Sequence, residues 1–254
     1  MSKISDRLAK LGQVEQTGLG FGVRSTGPKV PVILVGVRIE KPADAGSLNA
    51  DFFILAPGSK GAAQTHPVKG ADLWGVAVSG GTGDAIGSAT KAGADFVVIE
   101  DESAPGAALL DEDIGRGFVV GSEVTDDRAR AIDSSPFDFL ILGGTRVAMP
   151  LDVGATLDIR EQLSRYSRHI FLKLEGMPEK SDLETLRDMG VSALIYDSDS
   201  AGKNDLEGLR QIIDKLEPKK HRASTGGAVL PGRDQSAHQH EADFDDPDED
   251  EDWE

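Results

Sequence analysis

Trp74-Gly75-Val76-Ala77-Val78 leads into Ser79-Gly80-Gly81-Thr82-Gly83, and a helical stretch then closes on Lys91-Ala92-Gly93-Ala94 before Asp95-Phe96-Val97-Val98-Ile99. This passage decides how the chain folds. Its two ends are short, nearly continuous apolar runs rich in Val, Ile and Phe, which is how a strand buried on both faces reads. The segment between them, 82–92, carries helix signals in order: Thr82 as N-cap, Asp84 early, Lys91 late and Gly93 as the stop. Strand, helix, strand of this length gives a parallel pair, because parallel neighbours need a crossover connection.

The same unit recurs on both sides. Apolar runs at 31–37, 52–56, 117–121, 137–142, 169–174 and 191–196 join 74–78 and 95–99 to make eight. Helical patterns cover 125–134, 156–167, 181–189 and 204–216, and Ser181-x-x-Glu184 forms a capping box. The connections after the first, second and fourth runs read as short and weakly helical. Eight repeated units predict a single α/β domain, a (β/α)8 barrel of the TIM type, with an open doubly wound sheet as the alternative. A faint internal repeat, 80–101 against 175–197, is offset by half a barrel.

Both ends of the chain lie outside that pattern. Residues 2–11 read as an amphipathic helix on Ile4, Leu8 and Leu11, and 12–29 as a Gly-rich loop. Gly18-Leu19-Gly20-Phe21-Gly22 is not a dinucleotide fingerprint, since no strand precedes it and no helix opens on it. After Glu217-Pro218 the chain carries four Lys/Arg against eleven Asp/Glu. The expected division is therefore 1–30 helix and loop, 31–217 barrel, and 218–254 a disordered acidic tail. Phe244 and Trp253 in that tail suggest a docking peptide at 241–254 for a basic protein partner.

Net charge of −17 repels nucleic acid and anionic lipid, so neither is an expected partner. The chain has no cysteine, which excludes disulfides, thiolate catalysis and Cys-based metal sites. No signal peptide is read at Met1-Ser2-Lys3-Ile4, and no apolar run approaches the roughly 20 residues that span a bilayer. The expected location is cytoplasmic.

In such barrels ligands bind at the carboxyl ends of the strands, and here that rim is crowded with ionisable groups. Alternation in Ile170-Phe171-Leu172-Lys173-Leu174-Glu175 sends the aliphatic residues toward the helices and Lys173 with Glu175 toward the mouth. A desolvated Lys can act as base or Schiff-base nucleophile. Glu175 and Glu100 are its expected proton-transfer partners. Ser79-Gly80-Gly81-Thr82 and Gly143-Gly144-Thr145-Arg146 read as two loops whose backbone N–H groups could hold an anion, with Arg146 and Arg38 adding charge. Asp197 and Asp199 are expected metal ligands, oxygen donors suited to Mg2+.

At the level of organisation, 31–216 resembles the superfamily of phosphate-binding (β/α)8 barrels. The likeness rests on the helix-to-strand junctions Lys91-Ala92-Gly93-Ala94-Asp95-Phe96-Val97-Val98-Ile99 and Leu186-Arg187-Asp188-Met189-Gly190-Val191-Ser192-Ala193-Leu194-Ile195. It implies a lyase- or isomerase-type enzyme acting on a small anionic or phosphorylated metabolite, or an oxidoreductase using FMN. The chain departs from the superfamily where phosphate usually docks: Glu175-Gly176-Met177 and Asp197-Ser198-Asp199-Ser200 place carboxylates after the last two strands. A non-catalytic scaffold whose acidic tail engages its partner is the competing expectation.

Overall fold

The eight runs form eight parallel strands in a computed structural model, which describes residues 2–12, 30–58 and 63–218 and, within these, only the backbone of 144–146. They are β1 (Leu34–Ile39), β2 (Phe52–Leu55), β3 (Trp74–Val78), β4 (Phe96–Ile99), β5 (Gly115–Val120), β6 (Phe139–Val147), β7 (His169–Leu174) and β8 (Val191–Asp197). Each pairs with the next, and β1 pairs with β8, so the sheet closes into a (β/α)8 barrel and the open-sheet alternative is excluded.

Helices α1 (Lys3–Ala9), α2 (Gly83–Lys91), α3 (Asp126–Ser134), α4 (Val153–Ser164), α5 (Lys180–Met189) and α6 (Lys203–Ile213) accompany the strands. After β1 and β4 the crossover carries only a 3-10 segment, Pro42–Ser47 and Gly106–Leu109. The expected loop at 12–29 and the expected docking peptide at 241–254 lie outside the described residues, Gly12 excepted.

Several boundaries differ from the sequence reading, and three of them have a clear physical cause. β1 spans Leu34–Ile39 rather than 31–37, because the ladder to β8 starts at Leu34↔Ala193. α4 starts at Val153, three residues early, because the Asp152 carboxylate accepts the Ala155 N–H at 2.7 Å and caps the helix there. β6 runs on to Val147, which pairs with Leu174 across a shift in register. Gly143-Gly144-Thr145-Arg146, expected as a loop, is therefore strand, and no helix opens on it.

The core has two parts, divided by the sheet. Outside, Ile170, Leu172 and Leu174 pack with their counterparts on other strands against the helices. Inside, Phe52, Phe96, Phe139 and Phe171 form a closed circuit of ring contacts, with centroids 4.3–5.9 Å apart. Gly36, Gly75 and Gly117 face three of these rings: a Cβ at Gly36 would lie 2.3 Å from Phe52, at Gly75 2.3 Å from Phe96 and at Gly117 2.2 Å from Phe139. On β1–β6 small residues on odd strands make room for large ones on even strands, at β7 and β8 the order reverses with Phe171 beside Ala193, and the barrel is filled at this level.

Below the rings, α1 plugs the amino-terminal end of the barrel with Ile4 and Leu8, both buried. Two carboxylates that stand immediately before even strands fix the plug, and a third, Asp51, ties the wall to α6. Asp95 accepts the backbone N–H groups of Lys3 and Ile4 at 2.9 and 2.8 Å, and Asp138 accepts the Ser5 hydroxyl at 3.0 Å. Asp51, buried at 8% exposure, accepts the Val35 N–H at 2.8 Å and is held by both Nη atoms of Arg210.

Candidate active site at the barrel mouth

Above the aromatic circuit the inward positions change character. Ile54 on β2, Val98 on β4, Ile141 on β6 and Ile195 on β8 make an apolar floor, and Val119 and Gly143 line the wall. Over that floor stand Arg38 from β1, Glu100 from the end of β4 and Lys173 from β7, enclosing a cavity of about 160 Å³. Alternation explains the arrangement: Arg38 follows Leu34 and Gly36 on the inward face of β1, Glu100 follows Phe96 and Val98, and Lys173 follows Phe171.

Two ion pairs occupy the mouth. Lys173 Nζ lies 2.8 Å from Asp197 Oδ2, with side chains 23% and 38% exposed. The strands' register puts Lys173 opposite Ile195, so Asp197, two residues on, is the diagonal neighbour on the same face. Arg38 Nη2 donates to Glu100 Oε1 at 2.8 Å, with side chains 34% and 25% exposed. Since β1 and β4 are three strands apart, this bond crosses the opening. Arg38 Nε is shut off from solvent with no hydrogen-bond partner among the described residues, a desolvation cost of about 1–3 kcal/mol for an unmade bond. Neither pair is deeply buried, and neither carboxylate is committed to a backbone N–H of the described residues, so both pairs can open to a ligand.

The other residues singled out by sequence are placed elsewhere. Glu175, expected beside Lys173, lies beyond the end of β7, is exposed, and lines no part of the cavity. Ser79-Gly80-Gly81-Thr82 does form the loop between β3 and α2. Gly81 has φ +88°, a left-handed conformation that favours glycine. Thr82 is the N-cap without a capping bond from its side chain, and the Ser79 carbonyl accepts the Ser103 hydroxyl, tying this loop to the one after β4. None of these four residues lines the cavity. Gly143 does line it, whereas the side chains of Thr145 and Arg146 lie outside the described set.

Asp197 and Asp199 do not share a site. Asp197 is engaged by Lys173, while Asp199 lines a separate polar groove with Glu40, Lys41, Asp44 and Ser198. Among the described residues, no group of three or more His, Asp or Glu side chains is arranged to hold a metal ion. The sequence reading missed the floor residues Ile54, Val98, Ile141 and Ile195. The signal was present: each stands two positions after Phe52, Phe96, Phe139 or Ala193, and so shares its inward face.

No protein-family model matches the chain, and no curated protein matches it in sequence. Among solved structures the barrel is similar to KGPDC from Streptococcus mutans, with a TM-score of 0.51 at 11% identity, covering 72% of this chain and 96% of that one. It is also similar to a mutant tryptophan synthase alpha-subunit from the hyperthermophile Pyrococcus furiosus, with a TM-score of 0.52 at 13% identity, covering 73% and 98%. At such identities the likeness is one of fold: the chain shares the (β/α)8 architecture expected from its sequence.

Proposed function

We propose that the barrel mouth is the active site of an enzyme that acts on a small anionic metabolite by lyase- or isomerase-type chemistry, with Lys173 exchanging the proton or attacking the carbonyl. One observation carries this reading: Lys173 stands at the rim of an apolar bowl with its Nζ held by Asp197 and a second ion pair across the opening. An amine there meets a ligand in partly desolvated surroundings, where charge interactions are strong. Asp197 orients Nζ and is placed to take or return a proton, and Glu100 stands across the opening, held by Arg38 until a ligand takes its place. That barrels of this architecture include the tryptophan synthase alpha-subunit supports the enzyme reading in its coarse form.

Size narrows the ligand. The bowl, about 160 Å³, falls well below the roughly 300–1,000 Å³ typical of drug-sized ligand sites. It suits a metabolite of few carbons.

The test is incubation of the full chain with a mixture of small carbonyl and hydroxy acids and sugar phosphates in D2O, followed by NMR. A compound that gains deuterium or is turned over by the wild type but not by Lys173→Met is the expected result. No change in any compound, or equal change with the variant, refutes the proposal.

A further inference from the structure

We infer that the ligand of the barrel mouth is a compact monocarboxylate, bound through Arg38 with its carbon stem on the isoleucine floor, rather than a phosphate ester. The inference rests on the reading of the mouth as a ligand site and names the class it accepts.

Charge is the first ground. Arg38 and Lys173 contribute two positive charges to the mouth, and Glu100 and Asp197 contribute two negative ones, each already 2.8 Å from its partner. The described charges of the mouth therefore balance. A phosphate ester would bring close to two negative charges against two carboxylates, and among the described lining residues both cations are already paired. A single carboxylate brings half that repulsion, and it can take the place of Glu100 on the guanidinium. The displaced Glu100 side chain, already 25% exposed, then turns to solvent.

Donor geometry is the second ground. Arg38 offers a planar fork of five N–H donors, of which Glu100 engages Nη2. That fork matches the two oxygens of a carboxylate. Because the Arg38–Glu100 bond crosses the opening, a ligand that exchanges with Glu100 enters directly above the floor. The covered Nε–H, unpartnered in the closed arrangement, gains an acceptor when the side chain swings to meet the ligand.

Shape is the third ground. The floor beneath Arg38 is Ile54, Val98, Ile141 and Ile195, apolar and without a donor for phosphate oxygens. Ser79-Gly80-Gly81-Thr82 lies outside the lining, and Gly143 enters it from within a strand, with no helix start behind it. A short aliphatic or carbonyl-bearing stem fills such a bowl. A phosphate group would have to sit on hydrocarbon.

The experiment is methyl NMR of the full chain with labelled isoleucine, titrated with glyoxylate, pyruvate, 2-oxobutyrate and 2-oxoisovalerate, and separately with inorganic phosphate and glycerol 3-phosphate. The expected result is a saturable shift of the Ile54, Ile141 and Ile195 methyls with at least one of the carboxylates, while Ile132 and Ile159 outside the barrel stay in place. Both phosphates should bind at least about tenfold more weakly. Arg38→Gln should weaken carboxylate binding about 10- to 100-fold, the loss of a charge-assisted pair, and Arg38→Lys should restore only part of it because it keeps charge without the fork. Unchanged resonances of the distant isoleucines show that each variant is folded.

Phosphate binding as tightly as the carboxylates, or carboxylate binding indifferent to Arg38→Gln, overturns the inference while leaving the mouth a ligand site. If no anion of either class moves the floor methyls, the inference falls. The proposed function falls with it only when the deuterium-exchange experiment is also blank.

Discussion

Replacing Asp51 by Ala removes a carboxylate that serves both the barrel wall and its outer helix. Its Oδ2 accepts the N–H of Val35, itself fully buried, and its two oxygens hold the guanidinium of Arg210 on α6. The side chains are 5% and 23% exposed for Asp51 and Arg210. Leaving the Val35 N–H without a partner costs about 1–3 kcal/mol. Breaking a fully buried pair costs about 3–5 kcal/mol, but Arg210 keeps some access to water and recovers part of that. The sum expected for Asp51→Ala is about 3–5 kcal/mol, a large share of the roughly 5–15 kcal/mol that holds a domain together. Urea unfolding followed by far-UV circular dichroism measures it as a lower midpoint at unchanged slope. Asp51→Asn, which keeps an acceptor for Val35, should lose about half as much. In an Arg210→Met background the cost of Asp51→Ala should shrink, because the stranded cation is gone. A loss below about 1 kcal/mol, or the same loss in both backgrounds, would refute the account of Asp51 as a shared anchor.

Further outcomes follow from other parts of the barrel. Gly36→Ala places a Cβ 2.3 Å from the Phe52 ring and should destabilise by about 1–3 kcal/mol, with Phe52→Leu in the same chain recovering part of it in thermal melts. Tyr196 is buried and its hydroxyl has no partner among the described residues, so Tyr196→Phe should leave the urea midpoint unchanged or raise it. Burial lowers the pKa of His169 below its usual value and the charge of Asp138 only partly opposes this. The folded state therefore favours neutral His169, and stability should fall as pH drops below about 6.5 toward the folded pKa. His169→Gln, which can keep the contact to Ser192 Oγ now made at 3.1 Å, should flatten that slope in denaturation curves taken between pH 7 and 5. Lys173→Met should change stability by less than about 1 kcal/mol, because its pair with Asp197 is partly solvated, and a larger loss would mark Lys173 as a structural residue.

The strands were legible because a strand buried on both faces leaves a short apolar run that little else imitates, and the missing crossover helices after β1 and β4 showed as an absence of period. Ends were less legible where a distant partner sets them. Nothing local in Gly143-Gly144-Thr145-Arg146-Val147 says that Val147 will pair with Leu174 across a shifted register. The start of α4 was readable in principle from Asp152, a good capping residue that the periodic pattern overshadowed. At the mouth, alternation along β7 pointed Lys173 inward, but it gave Glu175 the same direction and could not say that the strand ends first. The real partner, Asp197, depends on how β7 and β8 are staggered. The bond from Arg38 to Glu100 joins residues 62 apart in sequence and three strands apart in the barrel, and no periodicity connects them.

The two ends of the barrel use the same side chains in opposite ways, and this is why the mouth reads as the site. At the amino-terminal end, Asp51, Asp95 and Asp138 each spend an oxygen on a backbone N–H, from Val35, Ile4 and Arg116. Those donors do not move unless the fold opens, so these carboxylates stabilise and are unavailable. At the carboxyl end, among the described residues, Glu100 and Asp197 are held by the side chains of Arg38 and Lys173, long side chains with rotamers to spare and an apolar bowl beneath them. A bond between two such side chains can be exchanged for one to a ligand at small cost, since a partly exposed pair is worth about 1 kcal/mol or less. A fold that fixes its charges to the main chain at one end and to each other at the other holds firm at the first end and leaves the second free to meet a ligand, which is the ground for proposing the mouth as the site.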